Sequence, residues 1–192
     1  MNFSKADFIE KLRKNREKII NQWFQAAINT YPPETARILD KSKNKFDNPV
    51  GCVTKQSLED VWDKLFHTLG HENRKNENIE QKEINQEKIE EALDPVIRIR
   101  AVQSFSASKA VEFVFELKGI VKKIIGTSLN SSFEKKVDEI SLAAFNRFMK
   151  CRENIFLLKA TEAKRRVHKA FERAGLVKEL TEEQLLSSNN KT

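Results

Sequence analysis

The sequence predicts an all-α helical bundle with a long C-terminal helix, and three observations carry that prediction. Only 5 glycines and 4 prolines occur in 192 residues, too few turn residues for many short strands. Apolar residues recur at steps of three and four through most of the chain. From Ser131 to Ala174 no proline or glycine interrupts the pattern. With 39% hydrophobic and 33% charged residues, the composition is that of a soluble globular protein, and the length suits one domain or one domain with an appendage. The aromatics are 13 Phe against 2 Trp and 1 Tyr, which favours core packing over polar stacking surfaces.

Ser4 with Asp7 three residues on gives a helix start, because a side-chain oxygen can accept from first-turn amides. Phe8, Leu12, Ile19, Trp23 and Ala27 then share one face, and the helix is expected to stop near Tyr31, before Pro32-Pro33. A short helical turn is expected at Pro33 to Leu39. The stretch from Phe46 through Asn48, Pro49 and Gly51 reads as an ordered loop, with Gly51 free to take positive φ. Thr54 or Ser57 is expected to open a helix whose apolar face holds Leu58, Val61, Trp62, Leu65, Phe66 and Leu69.

From His71 to about Lys82 the sequence is almost entirely polar and reads as an exposed connection or a poorly packed helix start. A helix from Ile84 follows, bent by Pro95. Ser106 is expected to cap a helix from Ala107 to about Ile125, whose only polar stripe is Lys109, Glu112, Glu116 and Lys123 with Gly119; so apolar a helix belongs at the centre of a bundle.

Ser131 and Glu134 read as a capping box at the last long segment, which Gly175 should terminate in the left-handed conformation. A helix of this extent would be about 65 Å long at about 1.5 Å per residue. A domain of this size should be only about 40 Å across. The helix is therefore expected either to break near Asn154 or to extend past the core, where Val167, Ala170 and Phe171 would need another chain to cover them. Residues 1–158 are read as a helical domain, 159–186 as a C-terminal helical extension with a last short helix from Thr181, and 187–192 as a disordered tail.

The formal net charge is +7 with a pI near 9.4, compatible with nucleic acid or an anionic surface but equally with a solvated basic exterior. No apolar run approaches the roughly 20 residues of a membrane span, and the N-terminus lacks the apolar centre of a signal peptide. Cys52 and Cys151 form no CxxC pair, so reduced thiols and a cytoplasmic location are expected.

Catalytic patterns are weak throughout. His67 and His71 stand four apart but lack the acidic pattern of a zinc helix. Ser106 to Lys109 matches a bare SxxK without its companion motifs. No glycine-rich phosphate loop occurs, and adjacent glutamates such as Glu90-Glu91 or Glu182-Glu183 offer no acid/base pair. No metal and no cofactor is expected. The run Lys164-Arg165-Arg166-Val167-His168-Lys169 is the best nucleic-acid candidate, through a basic face over 164–173, but Glu162, Glu172 and Glu179 interrupt it and a solvated face is preferred. Arg100 and Gln103 sit beside the apolar Val96 and Ile99, where an unpaired guanidinium would be costly. Either Arg100 pairs internally with Glu112 or Glu116, or Arg100 and Gln103 hold an anionic or fatty-acid-like ligand or brace a pocket. Asp94 and Arg98 read as a surface pair.

The block from Pro95 to Lys118, together with Trp23, Tyr31-Pro32 and Asn48-Pro49-Val50-Gly51, resembles the RsbRD-type N-terminal domain found at the front of some stressosome co-antagonists and bacterial sensor histidine kinases. The resemblance covers roughly residues 6 to 155. It implies a helical module, globin-like but without haem, that feeds a signal to an output domain and has no enzymatic activity. Its motif positions here are Asn48, Pro49, Gly51, Arg98, Arg100, Gln103, Phe105 and Ser106. No phosphoacceptor or kinase domain follows the long helix, so output is expected through a homodimer or a separate signalling protein, docked at Arg165, Arg166, Val167, Lys169, Ala170 and Phe171.

Overall fold

Seven α-helices follow one another in the computed structural model, which describes residues 5–41, 46–71, 79–103, 105–126 and 128–175. They are α1 (Lys5–Lys14), α2 (Arg16–Ile28), α3 (Pro33–Lys41), α4 (Pro49–His71), α5 (Ile79–Val102), α6 (Ala107–Ile125) and α7 (Ser131–Arg173). No strand occurs among the described residues, so the architecture is the all-α bundle that composition and periodicity predict. None of these helices is long and apolar enough to cross a membrane. The chain divides into two units, Met1–Arg152 and Glu153–Thr192.

In the first unit α4 packs against α1, α2, α3 and α5, and α2 lies deep in the bundle. Ile19, Ile20, Trp23, Phe24, Ala27 and Ile28 are all buried, and α2 packs against both α4 and α6. The expected single first helix is divided at Asn15, whose side-chain amide donates to the Lys11 carbonyl at 2.9 Å. Asn15 itself sits at φ −105°, ψ 12°, outside the helical region; a short polar side chain that bonds the backbone locally competes with the helical ladder. The stop before Pro32-Pro33 holds, and Pro33 opens α3 at the position where a missing amide is harmless.

The start of α4 differs from expectation. Pro49, not Thr54 or Ser57, begins the helix, and those two residues are buried within it. Asn48 is 2% exposed and works in both directions: its Oδ1 accepts from the Gly51 amide at 2.8 Å, and its Nδ2 donates to the Leu39 carbonyl in α3 at 2.6 Å. Gly51 is accordingly helical and needs no positive φ. Its missing side chain serves a close approach instead, since a Cβ there would stand 2.6 Å from Asn48 Oδ1.

Helix α5 begins at Ile79, earlier than the expected Ile84, and continues through Pro95. Leu93, Val96, Ile97 and Ala101 are fully buried around the proline, and this burial holds the helix where a main-chain hydrogen bond is lost. The polar stretch at 72–78 lies outside the described residues. Helix α6 has the expected bounds: Ser106 caps it by accepting from the Lys109 amide at 3.4 Å, and Gly126 closes it at φ 67°. Seven of its apolar residues are buried, as a central helix requires, although Phe115 remains half exposed.

The expected capping box on α7 moves one residue back. Asn130 Oδ1 accepts from the Ser132 amide at 2.9 Å and the Asn130 carbonyl accepts from Glu134, so Ser131 is already helical. Within the first unit α7 buries Phe133, Val137, Ile140, Ala144 and Phe148, with Phe133 edge-on to Phe8 at 5.7 Å. In the second unit α7 is unbroken at Asn154 and ends at Gly175, φ 66°, whose amide bonds the Glu172 carbonyl at 3.0 Å. The expected helix from Thr181 and the tail at 187–192 lie outside the described residues.

Substituting Asn48→Ala should lower stability by about 1–3 kcal/mol, because it strips partners from a buried carbonyl and an amide. Gly51→Ala should destabilise by a similar amount by pushing the Asn48 side chain out of place. The double variant should fall short of the sum of the two in urea unfolding, since both changes break one junction.

Candidate functional site

In the last turn of α5, Arg100 is 0% exposed. Its Nη2 donates to the Ala27 carbonyl at 2.7 Å, and its Nη1 donates to the carbonyls of Lys109 at 3.2 Å and Ala110 at 3.5 Å. Ala27 lies in the last turn of α2, at the negative end of the helix, and its carbonyl accepts from a backbone amide only through the long 3.4 Å contact with Thr30. The Thr30 hydroxyl donates to the same oxygen at 2.7 Å. Three rings surround the guanidinium: Phe113 at 4.6 Å, Phe105 at 5.1 Å and Tyr31 at 5.4 Å from the guanidinium carbon to the ring centroid. Partial negative charge from carbonyl oxygens and ring faces thus replaces a carboxylate counter-ion.

The rings are themselves fixed. Tyr31 meets Phe105 edge-on at 4.9 Å, and its hydroxyl donates to Gln103 Oε1 at 2.8 Å. Burial pushes the Tyr31 hydroxyl above its ordinary pKa, with Arg100 opposing, so the proton needed for that hydrogen bond stays in place at neutral pH. Trp23 Nε1 donates to the Phe113 carbonyl at 2.7 Å. Burial lowers Arg100 to about 10, with weaker Coulomb attraction from Tyr31 and then Glu112 acting the other way. The group therefore remains a cation at neutral pH.

The expected pairing of Arg100 with Glu112 or Glu116 is thus replaced by carbonyl and ring contacts. Both glutamates are exposed on α6, while the guanidinium faces inward. Its Nη atoms already donate within the chain, and Gln103 is taken up by Tyr31; only Nε has no partner. The open groove beside Tyr31 is lined by Gln25, Ile28, Pro33 and Asp40 among others, and by neither Arg100 nor Gln103.

The other motif positions fall at separate helix junctions. Asn48, Pro49 and Gly51 join α3 to α4, and Ser106 caps α6. Arg98 is largely exposed and bonds Asp94 at 2.7 Å, but Asp94 also receives Arg147 of α7. The surface pair is therefore one end of a bridge between α5 and α7. Nearby, Arg152 donates to the Ala101 carbonyl at 3.1 Å. Nothing in the sequence near Arg147 or Arg152 marks them for these roles, because their partners are more than 50 residues away. So Arg100, Gln103 and Phe105 come together with Tyr31 and Phe113, and the remaining motif residues build corners.

In the second unit the described side chains of α7 are mostly exposed. Phe156 is 70%, Val167 55% and Phe171 48% exposed. At about 100° per residue, Val167, Ala170 and Phe171 share one side of the helix, whereas Arg165 and Lys169 lie roughly opposite. Arg165 pairs with Glu162 at 3.1 Å and His168 with Glu172 at 3.2 Å. The six expected docking residues therefore do not form one surface.

No family model matches the chain, and no match is found among curated proteins or solved structures.

Replacing Arg100 by a methionine, which fills the same slot without a charge, should leave stability within about 1.5 kcal/mol of the parent, because a lost desolvation penalty offsets the lost carbonyl bonds. Arg100→Ala, which leaves a cavity among three rings, should cost about 3 kcal/mol or more. Chemical denaturation of the two variants side by side checks this, and equal losses would contradict the balance described.

Proposed function

We propose that the protein is a non-catalytic signalling or adaptor module of the RsbRD N-terminal type, and that its output passes to another protein chain docked on the exposed face of α7. The observation that carries this reading is the run of large apolar side chains left in water on the second unit: Phe156, Leu157, Leu158, Val167 and Phe171 are each about half exposed or more. Scattered exposed apolar residues are ordinary, but a sustained series on one helix marks an interaction surface. The reading of the central block as structural supports a module without chemistry. Its polar side chains are engaged in caps, carbonyl bonds and ion pairs that hold helix to helix, and no nucleophile and base are brought together among them.

The docked chain is either a second copy or a separate signalling protein; both would place the exposed face of α7 in an apolar interface. Because these residues are exposed, charge introduced there should spare the fold. Val167→Glu with Phe171→Glu should change stability by less than about 0.5 kcal/mol while weakening association at least tenfold, on the order of 1.4 kcal/mol. Sedimentation of the full chain at tens of micromolar and co-purification with its partner read the association. Unchanged association in the double variant would defeat the proposal.

A further inference from the structure

The charges beside the exposed face of α7 decide which kind of chain it fits. Within the second unit, Phe156, Ala160, Ala163, Val167 and Phe171 follow steps of three and four and so share one side of the helix. Lys159, Arg166 and Arg173 stand seven apart and form a rail along one flank of that side. Lys159, Ala163, Arg166 and Val167 line a single shallow depression, which makes rail and apolar face one continuous surface. Of the acidic residues nearby, Glu162 lines the same depression, where it pairs with Arg165 at 3.1 Å, and Glu172 contacts His168 at 3.2 Å on roughly the opposite side of the helix. Between Glu153 and Gly175 six Lys and Arg stand against three Glu.

We propose that this surface receives an acidic amphipathic helix from a different protein, one that lays an apolar seam on Phe156, Val167 and Phe171 and carries Glu or Asp at seven-residue spacing against the rail. The inference rests on the docking reading above and names the partner's chemistry. A second copy fits poorly. An antiparallel pairing sets the rail against itself, and a parallel pairing sets Lys159 beside Lys164 of the other copy; flanking charges of this kind select partners in helix pairs. A lipid surface fits less well than a helix. The middle of the face is Ala160 and Ala163, which admit a close helix but offer little to bury in acyl chains. The rail also lies along one flank, whereas the other carries Glu153 and Leu157 as well as Lys164, and one-sided charge orients a single helix.

The test uses the full chain and three labelled helical peptides with the same leucine–alanine seam and with flanks of Glu, Gln or Lys, read by fluorescence anisotropy. The Glu peptide should bind at least about tenfold more tightly than the Gln peptide, with affinity falling as salt rises. Reversing the rail with Lys159→Glu, Arg166→Glu and Arg173→Glu should transfer the preference to the Lys peptide, and an unchanged far-UV circular dichroism spectrum checks that the variant is folded. Equal binding of all three peptides, abolished by Val167→Glu with Phe171→Glu, would overturn the acidic partner and leave docking standing. Peptide binding that the Val167/Phe171 variant does not alter would overturn docking itself. Three further results would also overturn the assignment: capture by phosphatidylglycerol vesicles without peptide binding; a dimer held by this face; or binding that appears only after residues 176–192 are removed, which would give the surface to the chain's own Glu179, Glu182 and Glu183.

Discussion

A guanidinium with no surface in water must find its counter-charge inside the protein, and the way Arg100 does so organises the first unit. Its acceptors come from the end of α2 and the start of α6, and its rings come from the segment after α2, the segment before α6 and α6 itself. Two of the three ring residues are held by a further bond: Tyr31 by Gln103, and Phe113 through its carbonyl by Trp23. A shift of α2 along its axis would take the Ala27 carbonyl away and leave a buried charge underpaired, which costs several kcal/mol. The cation thus adds less to net stability than it does to the choice of one arrangement of α2, α5 and α6.

The other junctions follow the same logic at smaller cost. Helix ends leave carbonyls and amides without partners, and a bundle that buries those ends must satisfy them from side chains. Asn48 does this for the α3–α4 corner with one amide group used in both directions. Asn130 and Ser106 do it at the starts of α7 and α6, and Arg152 does it for a carbonyl near the end of α5. Between α5 and α7 the link is ionic, with Asp94 shared by Arg98 and Arg147.

In the first unit, Asn48, Arg100, Gln103 and Ser106 bond helix ends and neighbouring side chains within the bundle. In the second, α7 keeps its phenylalanines and its basic rail exposed, so chemistry able to recognise another chain is found there. The RsbRD-type resemblance and the exposed helix are different kinds of support for the proposed function: one is a pattern of letters, the other a set of apolar side chains left in water.

The sequence by itself determined the helices. Periodic apolar residues, Pro32-Pro33, Ser106 and Gly175 act on their own neighbours within a turn or two, so the bounds of α6, the stop before α3 and the end of α7 were legible. That Arg100 would be a problem to be solved was legible too, because a guanidinium on an apolar face needs partners in any fold. Who the partners are was decided only in three dimensions. Ala27 and Arg100 are 73 residues apart, and backbone carbonyls carry no mark in the sequence, whereas glutamates on the next helix do. Gly51 and Asn48 mislead for the same reason: an Asn-Pro-x-Gly stretch reads as a turn until a neighbouring helix end supplies the carbonyl that makes it a cap. Local rules fix which segments are helical; the pairing of buried polar groups, which depends on atoms distant in sequence and close in space, fixes how those helices meet.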